Sequence, residues 1–237
     1  MTVNVWASAT AAETGSAELL KQKLLTSEPE LEDPRISLDI IPDVYLPERQ
    51  LDLVLLFSDR RAKTDWFRVD DEKVVHSFAM IIEVKNHSPQ NIKFQGTSLE
   101  VRYAGNWSNA TYQCDQQVYA FKQFQETSFP NGAKRNPVFV QNAIWLKRTP
   151  KTALEKAPTK SSVPVIFEDT TWESITSVLI DRRTKKHGAI QAFFEDGTYH
   201  THETLKTSLT RKVVPTRLDL RKVNLLTTRK RFRDQQY

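Results

Sequence analysis

Leu51-Asp52-Leu53-Val54-Leu55-Leu56-Phe57 and Met80-Ile81-Ile82-Glu83-Val84-Lys85-Asn86-His87 carry charge into apolar, β-branched-rich runs of strand length. The run around Asp52 is apolar at both odd and even positions, which predicts a strand covered on both faces. A charged group inside such a run is costly to bury unless something binds it. Glu83 and Lys85 stand two residues apart and therefore point to one face of their strand. Asp52 can reach that face from the adjoining strand. Two carboxylates converging beside an ammonium make a site for a hard divalent cation.

This arrangement resembles the PD-(D/E)xK nuclease superfamily, whose motif is an Asp on one strand and (Asp/Glu)-x-Lys on the next. Ile82-Glu83-Val84-Lys85-Asn86-His87 is similar in particular to the nuclease-related domain (NERD) branch. That branch opens on an early helix with a Gly-x-x-Glu-like start, and Gly15-Ser16-Ala17-Glu18 is loosely similar to it. It also has a Gly-x-Trp element after the active-site strand, which Gly105-Asn106-Trp107 resembles. The likeness runs from Gly15 to Lys147. One departure stands out. Where the branch often carries Asn-Pro-x-x-Gln, this chain has Ala110-Thr111-Tyr112-Gln113-Cys114-Asp115-Gln116-Gln117, so Gln113, Gln116 and Gln117 compete for one role. Gln116 is preferred, because it precedes Tyr119 in a helical register similar to that of related nucleases.

The resemblance implies a restriction-endonuclease-like α/β core, with a central mixed sheet flanked by helices. It implies Asp52, Glu83 and the backbone carbonyl of Val84 as ligands to Mg²⁺ or Mn²⁺, with Lys85 beside the attacking water or the phosphate. Glu18 and Gln116 would complete the catalytic set. Asn86 and His87 follow Lys85 directly, and either touch nucleic acid or form a strand-end turn. The implied activity is metal-dependent phosphodiester hydrolysis, with DNA favoured over RNA, and the implied setting is defence against foreign DNA. A catalytically silent nucleic-acid-binding or assembly module on the same fold is the competing expectation. Domains of this branch are often fused to helicase, kinase or zinc-binding modules. A third reading makes the region after Thr149 a docking platform for a partner subunit or a further domain; no such motif occurs here, so that partner would be separate or absent, and a homo-oligomer is the alternative.

The chemistry suits these residue types. A phosphodiester repels an anionic nucleophile; a divalent ion lowers the pKa of water and neutralises phosphate oxygens. Enzymes lower barriers by about 8–23 kcal/mol. One preorganised donor contributes roughly 3–4 kcal/mol. Lys85 alone cannot account for catalysis, so the cation and positioning must supply the remainder.

Around this centre the pattern predicts a loose stretch over 1–12, a helix over Ser16–Leu25 and a first strand over Ile36–Ile41 that closes at Pro42. Strands follow over Gln50–Phe57 and Val74–Lys85, then a hairpin around Gly96, a helix over Asn109–Gln125 and a strand over Pro137–Leu146. Residues 13–148 form the expected nuclease core. Residues 149–164, rich in Lys, Thr, Ser and Pro, read as a loop or linker. Residues 165–237 are expected to add a strand, a helix over Thr171–Ile180 capped by Asp169 or Thr170, a hairpin around Glu195-Asp196-Gly197 and a basic helical extension. In that extension Arg229, Lys230, Arg231 and Arg233 are candidates for nucleic-acid contact. His200 and His202 read as residues of one strand face without further metal ligands.

The 237 residues carry a formal net charge of +5, which favours an anionic partner without specifying one. A single cysteine, Cys114, excludes an internal disulfide framework and a multi-cysteine zinc site. It reads as a buried or half-buried thiol of an intracellular, cytoplasmic protein. The N-terminus lacks the layout of a signal peptide, and no apolar stretch approaches the roughly 20 residues of a membrane span.

Overall fold

The structure is a computed structural model and describes residues 3–7, 12–69, 73–128, 138, 140–154, 161–179, 188–193 and 202–213. In chain order these form Val3–Val5 (β1), Thr14–Ser27 (α1), Ile36–Tyr45 (β2), Gln50–Asp59 (β3), Phe67–Arg68 (β4), Lys73–Val75 (β5), Ser77–Lys85 (β6), Ile92–Gln95 (β7), Ser98–Tyr103 (β8), Asn106–Asn109 (β9), Ala110–Ser128 (α2), Val140–Leu146 (β10), Val165–Ile166 (β11), Trp172–Val178 (α3), Gly188–Ile190 (β12) and His202–Thr210 (α4). The chain is thus α/β, with a six-stranded central sheet in the order β1-β2-β3-β6-β10-β11. The pairs β2–β3 and β3–β6 are antiparallel, while β1–β2, β6–β10 and β10–β11 are parallel. The sheet is therefore mixed.

Alternation of side chains sends the two central strands to two cores. Leu53, Leu55 and Phe57 of β3 and Met80 and Ile82 of β6 face α1 and α3, meeting Ala17, Leu20, Leu24, Trp172 and Ile175. Val54, Leu56, Ala79 and Ile81 face the other way, against Phe121 and Phe124 of α2 and Leu205 and Leu209 of α4. Covering both faces explains why Leu53–Phe57 of β3 and Phe78–Ile82 of β6 are apolar without a break. Burying a leucine such as Leu20, with no exposed surface, stabilises by about 1.5–3 kcal/mol. A meander of β7, β8 and β9 leads from β6 to α2, and its inward Leu99 and Val101 share a third cluster with Ala110, Cys114 and Ile144.

Several expectations need correction. Residues 1–12 are not loose throughout, since Val3–Val5 pairs in parallel with Leu38–Ile40. Strand β2 does not close at Pro42 but continues to Tyr45. The Ile40 carbonyl accepts from Trp6 N–H at 2.9 Å, so by alternation Pro42 turns toward the same edge, where β1 has already ended. A proline there removes no ladder bond. Beside it Asp43 has φ 52°, and the left-handed residue resets the alternation, so Ile41 and Val44 face one cluster. The strand expected over Val74–Lys85 breaks at His76 into β5 and β6. Helix α3 is capped by Thr171, not Asp169 or Thr170; its hydroxyl accepts from Ser174 N–H at 3.2 Å in a capping box. His202 opens helix α4 rather than lying on a strand. The hairpin turn at 195–197, His200 and the basic extension lie outside the described residues.

Candidate active site

Register places the charged triplet. The β3–β6 ladder pairs Leu53 with Ile82, so one step further Asp52 stands opposite Glu83. Glu83 and Lys85 follow the parity of Ile81, toward the face covered by α2, and the charges of Glu83 and Lys85 act on the Asp52 carboxyl beside them. The Val84 N–H donates to Asp52 Oδ2 at 2.9 Å. In a strand the N–H and C=O of one residue point to the same side. The Val84 carbonyl is thus turned toward Asp52, whereas that of Lys85 faces β10 and accepts from Lys147 N–H at 3.0 Å.

The Glu83 carboxylate is held on both oxygens. Lys85 Nζ donates to Oε1, and Gln117 Nε2, reaching down from α2, donates to Oε2. Glu83, Lys85 and Gln117 are each at most 5% exposed, so the set is shielded from water. Asp52 keeps some solvent contact. Burial, and then the charge of Glu83, push its carboxyl up to about 7. Burial disfavours the Lys85 ammonium, but the charge and hydrogen bond of Glu83 outweigh it and raise its pKa. Tyr103 roofs the group, its ring centroid 5.7 Å from Lys85 Nζ, and His87 meets that ring edge-on at 4.4 Å. Burial and Lys85 hold the His87 pKa below the usual range.

An acid from the start of α1 joins the rim. Glu13 is half-buried, accepts from Ser16 Oγ, and adds to the field that raises Asp52. Lys147 Nζ donates to Ser16 Oγ at 2.7 Å, tying the end of β10 to this helix. The Glu13 N–H donates to Asp43 Oδ2 at 2.7 Å.

Of the expected residues, Asp52, Glu83, Val84 and Lys85 come together. Gln116 does not join them; Gln117 takes that place, and Gln113 donates instead to Ser108 Oγ at 3.1 Å. Glu18 is exposed on α1 and has no bond to the cluster among the described residues, whereas Glu13 lies near it. Asn86 is exposed at the strand end, and His87 is half-buried under Tyr103. Arg229, Lys230, Arg231 and Arg233 lie outside the described residues. Glu13, Gln117, Tyr103 and Lys147 are the participants that pattern reading misses or ranks too low. Gln117 carried a signal: it interrupts the apolar stripe of Cys114, Phe121 and Phe124 on α2.

Among the described residues no three His, Cys, Asp or Glu side chains gather closely enough to cage a metal on their own. Two carboxylates and a backbone carbonyl suit a cation that keeps several of its waters, as Mg²⁺ does. The Gln117 Oε1 atom is buried without a hydrogen-bond partner among the described residues, an acceptor that waters of a hydrated cation would satisfy. The repulsion that lifts Asp52 is also what a divalent cation would relieve. The residues present fit the group.

No family model, no curated protein and no solved structure matches this chain. Among the described residues no helix is long and apolar enough to cross a membrane.

Proposed function

We propose that this chain is a metal-dependent nuclease on a restriction-endonuclease-like core, cutting DNA in preference to RNA. The observation that carries the reading is the convergence of Asp52, Glu83 and Lys85 where β3 and β6 part, with Asp52 on the Val84 N–H and Lys85 on Glu83. Asp52, Glu83 and the Val84 carbonyl would hold Mg²⁺ or Mn²⁺. A divalent cation there supplies an acidified water and offsets phosphate charge. Lys85, kept protonated by Glu83, places a positive charge where charge develops on the phosphate. Gln117 fixes the orientation of Glu83, and Tyr103 limits access of water to Lys85.

The test is plasmid DNA incubated with Mg²⁺ or Mn²⁺. The expected outcome is nicking or cutting that disappears with chelator and in Asp52→Ala and Lys85→Ala. Undiminished cleavage by folded Lys85→Ala would defeat the assignment.

One observation favours a second reading. Both Glu83 oxygens are already satisfied by Lys85 and Gln117, as in a purely structural ion pair. A silent binding or assembly module would bind DNA equally with and without Mg²⁺ and release no product.

A further inference from the structure

The β8–β9 hairpin carries two exposed rings beside the candidate site. Tyr103 is 47% exposed and Trp107 39%. The turn between them has positive φ at Ala104 (45°) and Gly105 (90°), the two-residue primed geometry that suits strand twist. It fixes the register Tyr103↔Asn106 and Arg102↔Trp107, so the two rings point to opposite faces of the ribbon. Tyr103 lies on the side of Lys85 and His87. Trp107 lies on the solvent face, with Lys93 Nζ 4.3 Å and Arg102 Cζ 5.9 Å from its ring centroid. Lys93 also meets Glu100 at 3.1 Å; Arg102 has no acidic partner among the described residues and donates from Nε to the Gly105 carbonyl at 3.3 Å.

Single exposed aromatics need no explanation. A ring flanked by two cations, one turn away from a second ring that touches the candidate catalytic lysine, is a narrower pattern. Aromatic platforms with adjacent positive charge fit a strand whose bases show a free π-face and whose phosphates are anionic. In a duplex those base faces are already covered by neighbouring pairs. We propose that the hairpin holds an unpaired DNA strand, with Tyr103 and Trp107 stacking on bases and Lys93 and Arg102 meeting the flanking phosphates. The substrate of the site is then single-stranded DNA, or the unpaired part of a flap or end. This rests on the nuclease reading for its role, but not for its test.

The test is fluorescence anisotropy with a labelled oligonucleotide and its blunt duplex, in chelator so that no cutting intervenes. The single strand is expected to bind about tenfold or more tighter than the duplex. Trp107→Ala and Tyr103→Ala each weaken single-strand binding by about five- to hundredfold, the range of one lost base stack. Trp107→Phe keeps most of it, and the duplex affinity moves little in any variant. Equal affinity for the two DNAs, or unchanged single-strand binding in Trp107→Ala and Tyr103→Ala proteins of wild-type melting temperature, overturns the proposal. A protein that prefers single strands but never cuts with Mg²⁺ or Mn²⁺ defeats the nuclease reading and leaves this one standing. A protein that cuts, yet is indifferent to strand state and to Trp107, does the reverse.

Discussion

Gln117 and Glu83 are bonded across the interface between α2 and the central sheet, side-chain amide to carboxylate. The amide satisfies one oxygen of a buried carboxylate. Gln117→Leu keeps the bulk and removes the donor. It should cost about 1–3 kcal/mol of stability, the penalty of an orphaned buried group. Urea unfolding checks this. Gln116→Ala should stay within about 0.5 kcal/mol of wild type. In the plasmid assay Gln117→Leu should cut more slowly than Gln116→Ala.

The Asp52 carboxyl gives a pH signature. Its ordinary value is 3.8, and burial with the Glu83 charge lifts it to about 7 in the folded chain. Between these values the folded state binds more protons than the unfolded state, so stability falls as pH rises through that window. Asp52→Asn should flatten the slope in urea unfolding measured at stepped pH without metal. A steeper fall in Asp52→Asn would contradict the assignment. With Mg²⁺ present the midpoint should move down, because a cation favours the carboxylate. Cleavage should rise with pH across the same window.

Arg61 and Asp59 make a further deeply buried ion pair, with Nη2 to Oδ2 at 2.7 Å and side chains 5% and 0% exposed. Arg61 also reaches Glu30 at 2.8 Å and stacks over Phe67. Arg61→Ala strands the Asp59 carboxylate and should cost about 3–5 kcal/mol. Arg61→Lys recovers only part of that, because an ammonium cannot reproduce the forked contact. Chemical denaturation at pH 7 measures both.

Cys114 is buried, and burial pushes its thiol well above the usual range, with Sγ donating to the Ala143 carbonyl at 3.4 Å. A thiol held protonated is a poor nucleophile. The folded protein should resist a thiol-directed reagent such as iodoacetamide over hours, and label fully in denaturant. Rapid labelling of the native chain would show that α2 opens from the sheet.

The charged strands were legible because β3 and β6 are apolar at odd and even positions alike, a pattern that few alternatives share. What alternation could not supply was the third dimension. Gln116 and Gln117 differ by one residue but by about 100° around a helix, and only the docking of α2 selects between them. Glu13 and Lys147 lie 134 positions apart in the chain, and Ser16 links them only after the sheet has formed. Pro42 misled because a proline is a stop signal for a paired edge; here its nitrogen faces an edge that β1 has vacated. Strand β1 escaped notice because three residues are too few to show a period.

The central sheet ends on strands of three and two residues, β1 and β11. Strands that short offer few main-chain groups of their own for a neighbouring molecule to zip onto, and beyond β1 the Tyr45 N–H is taken up by the Lys212 carbonyl at 2.8 Å. The long, greasy strands that would template fibre growth are sequestered in the middle, so crowding this protein to high concentration should not by itself seed cross-β stacking while the fold holds.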